Sequence, residues 1–113
     1  MKLSESSIIT AFNEYVDTEL APMSSGMGAI EQFAFGFTLG IAKRKANVLL
    51  TKLVNSKAAQ MLGLVDDTGM VDVDTAYSAA SDSINTVKHV EIGGIRFTSK
   101  DLDTLYSIMQ RYA

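Results

Sequence analysis

Cysteine is absent from the sequence, and proline and histidine occur only once each. Without cysteine the chain forms neither disulfides nor thiolate metal sites. Long hydrophobic runs are also missing: ten uncharged residues separate Gln32 from Lys43, whereas a membrane-spanning helix needs about 20. Lys2, followed shortly by serine and glutamate, is not typical of a signal peptide. These absences are compatible with the cytoplasm or with a particle assembled there.

The composition is that of a folded protein. Of its 113 residues, 47% are hydrophobic and 20% are charged, which is typical of a globular chain with one core. We found no internal repeat, linker or low-complexity tract. The sequence therefore predicts a single domain over residues 1–113.

Residues 29–54 predict one long helix with two apolar stripes on opposite sides. The first stripe comprises Ile30, Phe33, Ala34, Phe37, Ile41 and Val48, and the second comprises Phe35, Leu39, Ala42, Ala46, Leu49, Leu50 and Leu53. A helix that is apolar all round is normally buried. We therefore expect the first half to be covered on all sides. In the second half Arg44, Lys45 and Lys52 interrupt the first stripe, so only one face stays apolar there.

Small residues follow a third line on this helix, at Ala29, Gly36 and Gly40. Each glycine costs about 1 kcal/mol relative to alanine in a helix interior, which close approach of another backbone would offset. We favour a crossing within the chain. The alternative is a self-association seam, for which the candidate residues are Ala29, Phe33, Gly36, Phe37 and Gly40.

The flanking segments predict an α+β, mainly helical fold. Four to five helices surround the central one, with Met23–Gly28 as a flexible connection and residues 70–73 as a short strand. A small antiparallel β-hairpin is expected over residues 89–98, because alternating runs flank Gly93-Gly94. Its implied register pairs Ile92 with Ile95, Glu91 with Arg96, Val90 with Phe97 and His89 with Thr98.

Four aspartates form the only constellation worth testing as a metal site: Asp66, Asp67, Asp72 and Asp74. The segment partly matches an EF-hand loop with Gly69 at its sixth position. The first and twelfth positions are then Leu64 and Thr75, where carboxylates are required. We therefore expect helix caps and turn residues, no bound metal and no cofactor.

Other chemistries find little support in the sequence. His89 has no evident catalytic partner, and Glu31 is explained by a place in the first turn of the central helix. Residues 32–60 hold five basic residues and no acidic ones, yet Lys43, Arg44 and Lys45 are consecutive and spread around the helix. A nucleic-acid footprint clusters on one face, so pairing with the acidic segments on either side is the preferred interpretation.

The order of several short motifs is familiar. They are Tyr15-Val16-Asp17 with Pro22, Met61 to Asp66, Gly69 to Asp74 with Tyr77, Ile92 to Thr98, and Asp101 to Tyr106. Together they resemble a group of small uncharacterised proteins encoded by bacteriophages and prophages of Gram-positive bacteria. The resemblance spans most of the chain and implies a phage setting, in the host cytoplasm or the virion. Its motifs are structural and transfer no catalytic residues.

The leading hypothesis is a non-enzymatic protein-interaction module, a virion, tail or assembly component that forms a homo-oligomer and binds other phage or host proteins. The second is a small inhibitor of a host defence system, with Asp66, Asp67, Asp72 and Asp74 as its contact residues. A calcium- or nucleic-acid-responsive regulator is the third, and an enzyme comes last.

Overall fold

Five α-helices and two short antiparallel strand pairs form the protein in the computed structural model, which describes residues 1–113. About 71% of the residues are helical, as the sequence predicts. The helices are α1 (Glu5–Tyr15), α2 (Ala29–Val54), α3 (Lys57–Met61), α4 (Val73–Val87) and α5 (Ser99–Gln110). The strands are β1 (Lys2–Leu3), β2 (Val71–Asp72), β3 (Val90–Ile92) and β4 (Ile95–Phe97).

Helix α1 leads into α2 through ordered helical turns. The Ser4 hydroxyl oxygen caps α1 by accepting the Ser7 N–H. The chain then forms a π-helical turn (Val16–Leu20) and a 3₁₀ segment (Ala21–Gly26). The connection expected at Met23–Gly28 is therefore helical as far as Gly26, and Pro22 near the start of the 3₁₀ segment presets a helical φ.

The strand expected at residues 70–73 has a partner that sequence periodicity did not reveal. Strand β2 pairs with β1, with Leu3 opposite Val71 and Lys2 opposite Asp72. The Val73 N–H also donates to the Met1 carbonyl oxygen at 2.9 Å. This pairing ties the first residues of the chain to the start of α4.

Two clusters of buried side chains hold these elements together. The larger one joins α1, α2, α4, β4 and α5 through Ala11, Tyr15, Val16, Leu20, Leu39, Ile84, Phe97, Leu105 and Ile108. The smaller one surrounds the β1–β2 pair and contains Leu3, Ile8, Ala59, Val65, Val71 and Val73. Helix α2 contributes one residue, Leu39, to the first set and none to the second.

A hydrogen bond between Tyr15 and Asp101 joins α1 to α5 beside the larger cluster. The buried Tyr15 donates its hydroxyl to Asp101 Oδ1 at 2.8 Å, and Asp101 also accepts the N–H and the hydroxyl of Thr98, which caps α5. Burial raises the pKa of Tyr15, and the hydrogen bond to Asp101 adds to the shift. Partial burial works against the ionised form of Asp101, but the hydrogen bonds from Thr98 and Tyr15 outweigh it and lower its pKa.

The β-hairpin has three of the four expected pairs, without His89–Thr98, and it lies against α2. Val90 pairs with Phe97, Glu91 with Arg96, and Ile92 with Ile95. Gly93 and Gly94 form the turn with φ values of +58° and +88°, which glycine adopts without strain. A Cβ built on Gly93 would lie 2.8 Å from both the N and the Cα of Ala42. The turn therefore touches the α2 backbone directly.

The expectation that the first half of α2 is covered on all sides is wrong. Only Leu39 and Ala42 of this helix are buried. Helix α1, the turns that follow it and the hairpin all pack on α2, and they do so on the side of the second stripe. On the first stripe only Ile41 is half-buried, next to the hairpin turn, and Ile30, Phe33, Phe37 and Val48 are exposed. The second stripe is covered except at Leu49, which is 56% exposed.

Candidate interaction surface

The first stripe of α2 carries four of the ten large apolar side chains that are exposed in this protein. Its exposed fractions are 85% for Ile30, 79% for Phe33, 63% for Phe37 and 52% for Val48. Residues three and four apart lie above one another on a helix, so Ile30, Phe33 and Phe37 form one strip. Val48 lies on the same face, beyond the half-buried Ile41 and the exposed Arg44. Singly exposed apolar residues are ordinary, whereas a contiguous patch marks an interaction site.

The area of the first stripe can be compared with that of known interfaces. At about 200 Å² for a fully exposed aromatic side chain, Phe33 and Phe37 alone present about 280 Å² to solvent. Ile30 and Val48 bring the total to about 500 Å², which is large for a monomer surface. A specific interface buries about 800 Å² per partner. The stripe would supply most of that area, and the flanking side chains the rest.

The small-residue line borders this stripe. Ala29 and Gly36 are exposed and Gly40 is half-buried. A Cβ built on Gly36 or on Gly40 would meet no atom within 4 Å. The favoured interpretation, a crossing within the chain, is therefore wrong at these glycines. The close approach of two backbones occurs instead between Gly93 and Ala42.

The five residues of the predicted seam lie on one side of α2. Phe33 and Phe37 belong to the first stripe, and Ala29, Gly36 and Gly40 follow its edge. The structure brings them into one surface that the rest of the chain leaves uncovered. Whether a second copy binds there remains a prediction.

Charge is unevenly distributed along the same helix. Glu31 is in the first turn, and Lys43, Arg44, Lys45 and Lys52 follow in the second half. Lys43 Nζ contacts Asp17 Oδ1 at 2.8 Å, which agrees with pairing to an acidic segment. Arg44, Lys45 and Lys52 form no ion pair within the chain. Three cationic side chains therefore stand free beside the exposed apolar stripe.

The Asp66 side chain accepts hydrogen bonds from residues of its own loop. Its Oδ1 accepts the N–H of Thr68 at 2.9 Å, the hydroxyl of Thr68 at 2.6 Å and the N–H of Met70 at 2.9 Å. Its Oδ2 contacts Lys2 Nζ at 3.1 Å. The hydrogen bonds from Thr68 and Met70 lower the pKa of Asp66 well below its usual range.

The remaining three aspartates of the group have different environments. Asp72 caps α4 by accepting the Thr75 N–H at 3.1 Å. Asp74 binds the Met1 ammonium group and the Tyr106 hydroxyl. Asp67 is exposed. No group of three or more histidine, aspartate or glutamate side chains is arranged to hold a metal ion.

His89 and Glu31 also lie apart from any second reactive group. His89 is half-buried just before β3, and Glu31 is exposed. Neither side chain is hydrogen-bonded to another residue. The structure thus brings none of the sequence-derived catalytic candidates together.

One feature escaped sequence reasoning: a cleft between α1, α2, α4 and α5. It encloses about 190 Å³ and is lined by twelve hydrophobic residues, among them Leu50, Leu53, Leu102 and Tyr106. The periodicity of the second stripe predicts that Leu50 and Leu53 face inward. It does not predict that α5 stands far enough away to leave a gap.

Comparison of the chain with protein-family models, with curated proteins and with solved structures found no match in any of the three. None of the helices combines the length and the hydropathy that a membrane crossing requires.

Proposed function

We propose that this protein is a non-enzymatic, phage-encoded interaction module that works as a component of the virion, of its tail or of their assembly. The first stripe of α2 is its docking surface. The uncovered state of that stripe is the observation that carries the proposal. The phage setting is supported by the resemblance of the motifs from Tyr15 to Tyr106.

The free energy of burial, set against the cost of association, supports docking through the whole stripe rather than through single residues. At about 25 cal/mol per Å², covering the exposed area of Phe33 and Phe37 contributes about 7 kcal/mol. Association costs about 4–15 kcal/mol in lost rigid-body freedom alone. The contribution of the two rings falls within that range, so by themselves they leave little or no net free energy of binding. Covering neighbouring positions such as Ile30 and Val48 as well adds to the gain.

The acidic loop gives weaker support to the second hypothesis, an inhibitor of a host defence system. Asp66, Asp72 and Asp74 already accept hydrogen bonds within the chain. Asp67 alone is left to present an unengaged carboxylate. The basic second half of α2 is moreover of the wrong sign for mimicking a nucleic acid.

The test is a phage that carries Phe33→Ser and Phe37→Ser together in this gene. We expect fewer complete particles by electron microscopy and a lower plaque titre, because a docking surface is lost while the fold is kept. The matched control is Met61→Ser with Leu62→Ser, which removes two exposed apolar side chains from another part of the surface. Normal particles and titre for the first variant would overturn the proposal.

A further inference from the structure

We propose that the first stripe of α2 binds the same stripe of a second copy, with the two helices antiparallel. The inference rests on the proposed function and names the partner of its docking surface. A two-fold axis then passes between Phe37 and Ile41. The first half of each helix is covered by the second half of the other.

Charge selects the antiparallel orientation. The second half of α2 carries Arg44, Lys45 and Lys52, none of which has an ion-pair partner in its own chain, and it carries no acidic residue. A parallel pair would set these cations side by side, and like charges close together repel. An antiparallel pair moves them to the end of the partner helix that carries Glu31. It also opposes the two helix dipoles.

The spacing of the apolar residues supplies the register. With the axis between Phe37 and Ile41, the exposed Phe37 of one copy faces the half-buried Ile41 of the other. Ile30 then lies opposite Val48, at each end of the pair. All four residues belong to the first stripe, and the arrangement places both ends of the apolar strip in contact at once.

The same register explains why a charged residue, Arg44, lies within the apolar first stripe. Arg44 falls level with Phe33 of the other copy, where a guanidinium group over an aromatic face is attractive. The unpaired Arg44 of each copy thus forms a cation–π contact with the exposed Phe33 ring of the other copy. The symmetric dimer contains two such contacts.

A second charged contact follows from the symmetry. A two-fold axis brings the same edge of both helices together. At about 100° per residue, Glu31 and Lys45 are about 40° apart around the helix, on one edge of the stripe. Lys45 of one copy therefore approaches Glu31 of the other. On the opposite edge, Gly36 and Gly40 present no Cβ and allow the helices to come close.

Cysteine cross-linking tests the orientation without background, since the chain has no cysteine. We would mix the Ile30→Cys protein with the Val48→Cys protein and oxidise. In the proposed register these positions face each other within the Cα separation of about 4.4–6.8 Å that a disulfide spans. Within either single variant, equivalent positions are about 27 Å apart along the helix. The mixture should therefore link and the single variants should not.

Each other outcome of this experiment overturns the proposal. Single variants that link to themselves would show a parallel pair. A dimer by light scattering in which the mixture fails to link would show another register or surface. A monomer over the whole concentration range would exclude self-pairing. If the Phe33→Ser, Phe37→Ser phage is still defective in that case, the proposed function stands with a different partner.

Charge exchange gives an independent readout. Glu31→Lys and Lys45→Glu should each weaken dimerisation about 3- to 10-fold, because each breaks two symmetric contacts of modest strength. The double variant restores opposite charges and should recover most of the loss. Circular dichroism checks that the variants stay folded, which we expect because Glu31 and Lys45 are exposed. A double variant weaker than both single ones would contradict the Glu31–Lys45 contact.

Discussion

The two faces of α2 carry similar apolar patterns and meet different surroundings. On one face Leu39 and Ala42 are buried, and the hairpin turn touches the backbone at Ala42. On the other face Phe33 and Phe37 stand in solvent. Helical spacing predicts which residues share a face. It does not predict which of two apolar faces the chain itself will cover.

The glycines show the same contrast at the level of the backbone. Gly93 lies where two segments meet, with no room for a Cβ. Gly36 and Gly40 lie in the long helix with open space around them. A glycine without a neighbour in its own chain gains nothing from its missing side chain, and this makes the uncovered face a candidate for a contact with another molecule.

Truncating one residue on each face gives the largest expected contrast. Leu39→Ala should lower the free energy of unfolding by about 2–4 kcal/mol, because it leaves a cavity in the larger cluster. Phe37→Ala should change it by less than about 0.5 kcal/mol, as for most surface sites. Urea denaturation at concentrations where the chain is monomeric measures both. Equal losses would mean that the chain covers Phe37 after all.

Alanine substitutions in the hairpin turn sharpen the comparison further. Gly93→Ala should cost about 2–3 kcal/mol, because the new methyl group collides with the backbone at Ala42 and φ is positive. Gly94→Ala has the same strain but meets only a methyl carbon of Thr38 at 3.7 Å, so we expect a loss of about 1 kcal/mol. Thermal unfolding followed by circular dichroism ranks the two, and a reversed order would refute the direct contact with α2.

Substitution of the two glycines in α2 should change stability in the opposite direction. Gly36→Ala or Gly40→Ala should raise the free energy of unfolding of the monomer by about 1 kcal/mol, because alanine is the better helix former. The same changes should weaken self-association, since the added methyl group holds the second helix away. Denaturation and light scattering on one preparation test both effects. A destabilised monomer would point to a neighbour within the chain.

Acid should lower the stability of the folded protein through two aspartates. The pKa values of Asp66 and Asp101 are lowered in the folded state. Their contribution to stability is therefore complete above the unfolded pKa of about 3.9 and is lost as the pH falls below it. The denaturant concentration at the unfolding midpoint should therefore decrease once the pH is lowered below about 4. Asp66→Asn should flatten that dependence, because it removes one of the two carboxylates whose pKa is lowered.

Local signals account for most of the elements. The bounds of α2, the cap at Ser4 and the Gly93-Gly94 hairpin follow from propensity, capping and turn chemistry within a few residues. For α4 these signals leave the cap open between Asp72 and Asp74, and the structure has Asp72. The partner of β2 did not follow, because it depends on contacts between segments distant in sequence, such as Leu3 with Val71, which single-sequence periodicity does not report. The π turn after Tyr15 has no local sequence signal either.

The candidate site was anticipated as a set of residues but not as a surface. Phe33, Phe37, Gly36 and Gly40 were singled out from spacing alone, yet a crossing within the chain was the preferred explanation. The choice depended on where α1 and the hairpin pack, and local pattern carries no information on that.

The sequence by itself determined the helical class, the length of α2, the two apolar stripes and the segregation of charge along the helix, because these depend on the backbone preferences and spacing of neighbouring residues. Only the tertiary structure decided that Leu39 and Ala42 are covered while Phe33 and Phe37 are not. The physical reason is that the hairpin can approach α2 closely at Gly93, whereas the chain offers no second layer for the other side.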